Sequence, residues 1–321
     1  MNVVYLGSLA RDHVTQTLAD SPFNVIAADT DADLARVIPE ADVLVTAGPW
    51  YTQRVAALTH TAKHLQLIQL TSAGFENVER FGVPPGTQVC NAADAWSIAV
   101  AEHAMAMLLA LGRRISDALD LQRQCHWRRA YTDQCRSLYG KTLVIVGYGR
   151  IGKQIAQRAK AFAMVVVAVK TRAVADAVAD EVLGMDQLRH ALARADVVVA
   201  AVPSSTQTVG MFHTETFAQM KPDALFINVA RGDVVNTPDL LVALRSGQLS
   251  GAALDVTDPE PLPPDAPLWT APNLLITPHV AGAVPDLVPH SICNVVVENL
   301  RRLAQRAPLQ HVVSLSTIPP E

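Results

Sequence analysis

Four side chains in the last third of the chain combine the types that move protons and bind anions. Arg231 stands in FINVARG (226–232), Asp255 ends GAALD (251–255), and His279 follows LLITP (274–278). Glu260 lies five residues past Asp255, in the loop DVTDPEPLPP. An imidazole titrates near neutral pH, and a guanidinium offers a planar fork of donors that matches a carboxylate. Each residue alone has a plain structural explanation. A histidine after proline is often structural, a DPEP loop can be only a rigid turn, and an arginine near a sheet edge is often a surface ion pair. Arg231, Asp255 and His279, however, fall at the ends of three strand-like runs. In a parallel sheet such ends line one crevice.

The runs that must position these residues form two series. NVVYL (2–6), FNVIAA (23–28), DVLVTA (42–47), LQLIQL (65–70) and TQVCN (87–91) make the first. TLVIV (142–146), MVVVAV (164–169), VVVAAV (197–202), ALFINV (224–229), GAALDV (251–256) and LLITP (274–278) make the second. They are continuously apolar rather than alternating, as strands covered on both faces are. Helical or turn-like segments separate them, so the rhythm predicts an α/β chain of two doubly wound parallel-sheet domains. Residues 97–124 carry the longest helical pattern, with no proline and one glycine, Gly112, and are expected as a single bridging helix between the domains. A last helix is expected around 285–306, packing back on the first domain.

The second series opens on a glycine turn. VGYGRIG (146–152) places Gly147, Gly149 and Gly152 as G-x-G-x-x-G between a strand and a helical pattern. The first glycine permits the tight turn, the second lets backbone approach a pyrophosphate, and the third lets the helix pack on the strand. The helix opens at Arg150 and Ile151, with its free N–H groups and positive dipole end aimed at phosphate. No G-K-[ST] follows, so the turn is not an NTPase phosphate loop. The pattern predicts a dinucleotide, with Arg231, Asp255, Glu260 and His279 converging on its nicotinamide.

The adenosine ribose should reach the tip of the next strand. Lys170 stands there, 18 residues beyond Gly152, close to the ~20 expected of the acid that binds the ribose 2′-OH. Lys170, Thr171 and Arg172 offer no carboxylate. The two basic side chains suit a 2′-phosphate instead, which favours NADP over NAD.

Five stretches together resemble the D-isomer-specific 2-hydroxyacid dehydrogenase family, and its glyoxylate/hydroxypyruvate reductase-like members in particular. They are TSAGFENVE (71–79), VAEHAMAMLLALGRR (100–114), YGKTLVIVGYGRIG (139–152), KPDALFINVARGDVVNTPDLLVALRSGQLSGAALDVTDPEPLP (221–263) and PNLLITPHVAG (272–282). The resemblance implies a flavodoxin-like substrate domain over 1–96 plus 285–321 and a Rossmann cofactor domain over 97–284, with a cleft between them. It implies a homodimer. It assigns Arg231, Glu260 and His279 as the catalytic triad. His279 would protonate the carbonyl oxygen of a 2-oxo acid while hydride arrives at C2. Glu260 would orient the ring and favour imidazolium. Arg231 would bind the substrate carboxylate and polarise the carbonyl. By the same match, Ala73 and Gly74 contact the substrate carboxylate, while Val202, Pro203, Ala230, Asp255 and His279 face the nicotinamide. The basic tip at Lys170 departs from the family's acidic residue and bears on cofactor choice alone.

Composition excludes other classes. Half the residues are hydrophobic, 17% are charged, and the formal net charge is −4. That is a chain with a large core and no basic face for nucleic acid. Cys90, Cys125, Cys135 and Cys293 are scattered without a C-x-x-C pair, which argues against zinc or a disulfide framework. The N-terminus lacks signal-peptide character and no apolar run approaches the ~18 residues of a membrane helix, so a cytoplasmic protein is expected. Two alternatives stay open: a phosphite-type dehydrogenase, and a non-catalytic NAD(P)-sensing interaction protein of the same fold. Glu260 argues against a formate enzyme, where glutamine is usual. Trp50 and Tyr51, in AGPWYTQ (47–53), are candidates to cover a substrate side chain. Trp127 reads as a packing residue, His103 as structural, and the remaining histidines show no metal spacing.

Overall fold

Unbroken runs of Val, Ile, Leu and Ala have no polar side to turn to water, so each must be covered on both faces. In the computed structural model, which describes residues 1–92 and 94–315, these runs pair in two parallel sheets, of five and seven strands. The chain divides into two compact units. One is Met1–Trp96 with the segment from Val284 onward, and the other is Ser97–Ala283. Residues 316–321, assigned above to the first domain, lie outside the described residues.

The first unit contains β1 (Asn2–Leu6), β2 (Asn24–Ala28), β3 (Val43–Thr46), β4 (Leu67–Leu70) and β5 (Gln88–Cys90). Their order is β2-β1-β3-β4-β5, the flavodoxin-like arrangement, which reverses direction between β1 and β3. Val4, Leu6, Leu44, Ile68 and Leu70 form its core with Leu34, Tyr51 and Val55 from the helical side. The helix Val288–Ala304 closes this unit. Its Asn299 is fully buried and donates to the equally buried Gln69 Oε1 at 2.7 Å and to Gln310 O at 3.0 Å. Paired amides satisfy each other where a lone one would be costly.

The second unit contains β6 (Thr142–Val146), β7 (Val165–Lys170), β8 (Glu181–Gly184), β9 (Val197–Ala200), β10 (Ala224–Asn228), β11 (Leu249–Leu254) and β12 (Leu274–Ile276). The order is β12-β11-β10-β9-β6-β7-β8, with the reversal between β6 and β9. Phe212, Phe217 and Phe226 cluster in its core with ring centroids 4.8–6.4 Å apart.

Three details differ from the sequence expectation. Strand β8 was not anticipated. Among the described residues it pairs only with β7, and an edge strand reading EVLG lacks a continuous apolar signal. The helix expected over 97–124 is two helices, Ser97–Gly112 and Ile115–Arg123. Between them Arg114 takes a left-handed φ of 54°, and its guanidinium pairs with Asp117 and donates to Asn273 Oδ1 at 2.7 Å. Trp127 is 94% exposed rather than packed. The helix before it, Ile115–Arg123, likewise buries no residue. No helix among the described residues is long and apolar enough to cross a membrane.

Candidate active site

The glycine turn follows β6 at the reversal in strand order, where a doubly wound sheet opens a crevice. Gly147 has φ 100°, and a Cβ there would sit 2.4 Å from Ala201 backbone. A Cβ on Gly152 would sit 2.5 Å from Gly147 O. Gly149, by contrast, faces open space, with nothing within 4 Å of a built Cβ. It also caps the helix Arg150–Ala161 without a side-chain acceptor, so the first-turn N–H groups, including those of Ile151 and Gly152, have no side-chain cap. Two glycines are therefore required by packing and the third leaves room for a ligand.

Lys170 ends β7, half-buried, with Thr171 and Arg172 exposed beyond it. The next acid along the chain is Asp176, and its carboxylate is already engaged. It accepts from Tyr148 Oη at 3.0 Å and from Val178 N–H at 3.1 Å, and pairs with Lys153 Nζ at 2.6 Å. Lys153 and the Val178 N–H hold its pKa down at about 2. Burial, then the adjacent Asp176, pushes the Tyr148 hydroxyl well above the usual tyrosine range. This group, which the sequence did not reveal, ties the segment after β7 to the glycine turn.

Val202 and Pro203 follow β9, beside the turn, where Ala201 N–H donates to Val146 O at 2.8 Å. Ala230 and Arg231 follow β10, and the fully buried Asn228 staples them. Its Nδ2 donates to Arg231 O at 2.8 Å and its Oδ1 accepts from Ala230 N–H at 3.0 Å. Gly232 lets this turn press on the next loop, since a Cβ there would sit 1.9 Å from Thr257 O. The turn bearing Arg231 thus rests against the backbone just ahead of Glu260.

Asp255, 2% exposed, follows β11 and holds the turn that carries His279. Its Oδ1 accepts from the Thr277 hydroxyl at 2.6 Å and from Val280 N–H at 3.0 Å, and its Oδ2 accepts from Ala281 N–H at 3.0 Å. His103, on the helix Ser97–Gly112, approaches the same group, with Nε2 2.9 Å from Thr277 Oγ1 and 3.4 Å from Asp255 Oδ1. Burial alone would raise the Asp255 pKa. The hydrogen bonds of His103, Thr277, Ala281 and Val280 outweigh it and hold the carboxyl below its usual range. Thr277 and Asn228 are structural participants that the motif reading passed over. A polar residue at the end of an apolar strand was the available signal.

His279 itself has φ 52°, and its N–H donates to Asp255 O at 2.7 Å. A left-handed backbone at a residue with a Cβ is costly and is sustained here by the Asp255 cage. Its ring Nδ1 lies 2.5 Å from Glu260 Oε1, and both side chains are partly exposed. Arg231, Asp255 and His279 thus follow the neighbouring strands β10, β11 and β12 at their carboxyl ends, and Glu260 meets His279, while the Arg231 guanidinium donates to Ala230 O at 2.8 Å.

Trp50, Ala73 and Gly74 belong to the first unit. Trp50 is 49% exposed, and its ring covers Gly7, where a Cβ would sit 2.2 Å from the indole. Tyr51 is fully buried and donates to Gly82 O at 2.8 Å. It packs within the unit, and the expectation that it covers a substrate is corrected.

Residues 105–281 match the family model for the D-isomer specific 2-hydroxyacid dehydrogenase NAD binding domain. Over 296 residues the chain is 33% identical to D-3-phosphoglycerate dehydrogenase of Methanocaldococcus jannaschii, covering 91% of this chain and 55% of that protein. It thus spans about half the length of that relative. It is 34% identical over 261 residues to glyoxylate reductase of Pyrococcus furiosus, covering 78% of this chain and 76% of that one. Among solved structures, a D-isomer specific 2-hydroxyacid dehydrogenase family protein from Aeromonas salmonicida is 32% identical, with TM-score 0.87 over 98% of this chain and 99% of that one. These matches, together with the parallel sheets and the glycine turn, make the chain a member of the D-isomer specific 2-hydroxyacid dehydrogenase family.

Proposed function

We propose that the chain is an NAD(P)-dependent oxidoreductase that interconverts a 2-oxo acid and its D-2-hydroxy acid, of the glyoxylate or hydroxypyruvate type. The observation that carries this reading is the 2.5 Å contact between His279 Nδ1 and Glu260. With Nδ1 committed to the carboxylate, Nε2 is the nitrogen left to face a substrate carbonyl. His279 then delivers a proton from Nε2 to the carbonyl oxygen, and takes it back in the reverse direction. Glu260 fixes the orientation of the ring through Nδ1. Arg231 binds the substrate carboxylate and polarises the carbonyl with its donors. Backbone at Ala73 and Gly74 also receives the carboxylate, and Trp50 borders the substrate.

The glycine turn fits a dinucleotide, because Gly149 opens on free space beside an uncapped helix start. A bound nicotinamide cofactor supplies the hydride that adds to C2. Gly147, Gly149, Arg150, Ile151 and Gly152 hold its pyrophosphate, and Val202, Pro203, Ala230 and Asp255 line its nicotinamide end. Lys170, Thr171 and Arg172 receive a 2′-phosphate, so NADP is preferred to NAD. The engagement of Asp176, the next acid after Arg172, with Lys153 and Tyr148 supports this, since that carboxylate is already committed. The first unit serves as the substrate domain and the second as the cofactor domain.

A homodimer goes with this reading. The exposed apolar side chains Ile115, Leu119 and Trp127 suit a second copy. Four free cysteines suit a cytoplasmic setting. The deciding experiment is a steady-state panel of glyoxylate, hydroxypyruvate, pyruvate and phenylpyruvate against NADPH and NADH, with phosphite, which must be oxidised, run against NADP+ and NAD+. Turnover of a 2-oxo acid supports the reading. Tight nucleotide binding without turnover points to a sensor, and turnover of phosphite alone to the other chemistry.

A further inference from the structure

In the first unit, residues 71–74 leave β4 with every carbonyl oxygen tied down. The Trp96 indole donates to Thr71 O at 2.8 Å. Ala92 N–H donates to Ser72 O at 3.0 Å. The Asn91 side-chain amide donates to Ala73 O at 2.8 Å, and the Ser72 hydroxyl to Gly74 O at 2.8 Å. The same hydroxyl accepts from Gly48 N–H at 2.8 Å. Gly48 permits this closeness because it has no Cβ, which would sit 2.5 Å from Gly74 O.

A trans peptide points its N–H opposite to its C=O. Four successive carbonyls that accept from within the unit therefore turn the N–H groups of Ser72, Ala73, Gly74 and Phe75 the other way. Successive N–H groups of this kind make a concavity that attracts an anion. Asn91 is itself fixed. Its N–H donates to His311 O at 3.1 Å, Cys90 bridges Val312, and Val313 N–H donates to Val89 O at 2.8 Å.

We propose that Asn91 and Ser72 are positioning residues for substrate binding. By holding the carbonyls of Ala73 and Gly74 inward, they aim consecutive N–H groups at the carboxylate of the 2-oxo acid. The proposal rests on the functional reading above, and it assigns these two side chains to recognition of the carboxylate rather than to the proton transfer.

The test is steady-state kinetics of Asn91→Ala and Ser72→Ala with glyoxylate and NADPH, alongside titration of the NADPH-loaded protein with oxamate, an unreactive mimic. The expected result is a KM for glyoxylate, and a Kd for oxamate, raised about tenfold or more, with kcat within about threefold and KM for NADPH within about twofold. Ser72→Thr, which keeps the hydroxyl, recovers most of the loss and separates recognition from misfolding. KM and oxamate Kd within about twofold of wild type in both alanine variants, or a loss confined to kcat, overturns the proposal. A wild type that binds oxamate but turns over no 2-oxo acid, with oxamate weakened in the variants, removes the functional reading and leaves this inference standing.

Discussion

Asp255 and His279 are joined through the main chain: the Asp255 carbonyl accepts from His279 N–H at 2.7 Å, while the Asp255 carboxylate takes the next two N–H groups, of Val280 and Ala281, at 3.0 Å each. One acid thus fixes the backbone on which the candidate acid–base histidine stands, and leaves the ring to Glu260.

His279→Ala should lower kcat by roughly a hundredfold or more, the scale of a lost general acid, with nucleotide affinity little changed. Glu260→Gln should lower kcat by a smaller factor, because the ring keeps a hydrogen-bond partner at Nδ1 but loses the stronger charge-assisted bond that orients it. Stopped-flow turnover and nucleotide fluorescence titration measure the two properties separately. Near-normal kcat in His279→Ala at neutral pH would refute its role.

The Asp255 carboxyl is held below its ordinary pKa of 3.8. A carboxyl lowered in the folded state stabilises the fold above its unfolded pKa, and that contribution fades as pH falls through the folded value. The Tm difference between wild type and Asp255→Asn should therefore be largest near neutral pH and shrink on acidification below about pH 4. A gap independent of pH counts against the buried charge as its source. His103→Phe, which removes one partner of that charge, should lower Tm at neutral pH, and His103→Gln should restore part of it.

Replacing Lys170 with Asp and Arg172 with Ser should move the ratio of kcat/KM for NADPH over NADH toward NADH by about tenfold or more, since two charge-assisted contacts to phosphate are removed. kcat with saturating cofactor should stay near its original value. A wild-type preference for NADH would sink the premise.

Gly232→Ala should destabilise the second unit by about 1–3 kcal/mol, the usual cost of forcing volume into packed backbone. The added Cβ would meet Thr257 O at 1.9 Å. Thermal unfolding reads the loss, and kcat should fall with it because Arg231 rides on the displaced turn. Unchanged Tm would show that the loop after β11 yields more freely than its packing indicates.

Much of this arrangement is legible in the sequence because its causes are local. Continuous Val and Ile runs declare buried strands, and Gly147 and Gly152 declare places where backbone meets backbone. The strand ends then deliver Arg231, Asp255 and His279 to one edge with no further information. What stays hidden depends on partners distant in sequence. Strand β8 is visible only through its pairing with β7. At the break, Arg114 meets Asn273, 159 residues away. Nothing in RRISDALDLQR announces that its helix buries no residue, so the exposure of Trp127 could not be read. The Asp255 cage draws on His103, Thr277 and two backbone N–H groups, and its carboxylate looks the same on paper whether it is caged or free.

The first unit's sheet reverses between β1 and β3, so it too opens the kind of crevice in which this architecture houses nucleotides. There the indole of Trp50 lies on Gly7, the residue that follows β1. Topology thus gives each sheet such a crevice, and beside the first a half-exposed indole rests on a glycine where, beside the second, Gly149 opens on free space.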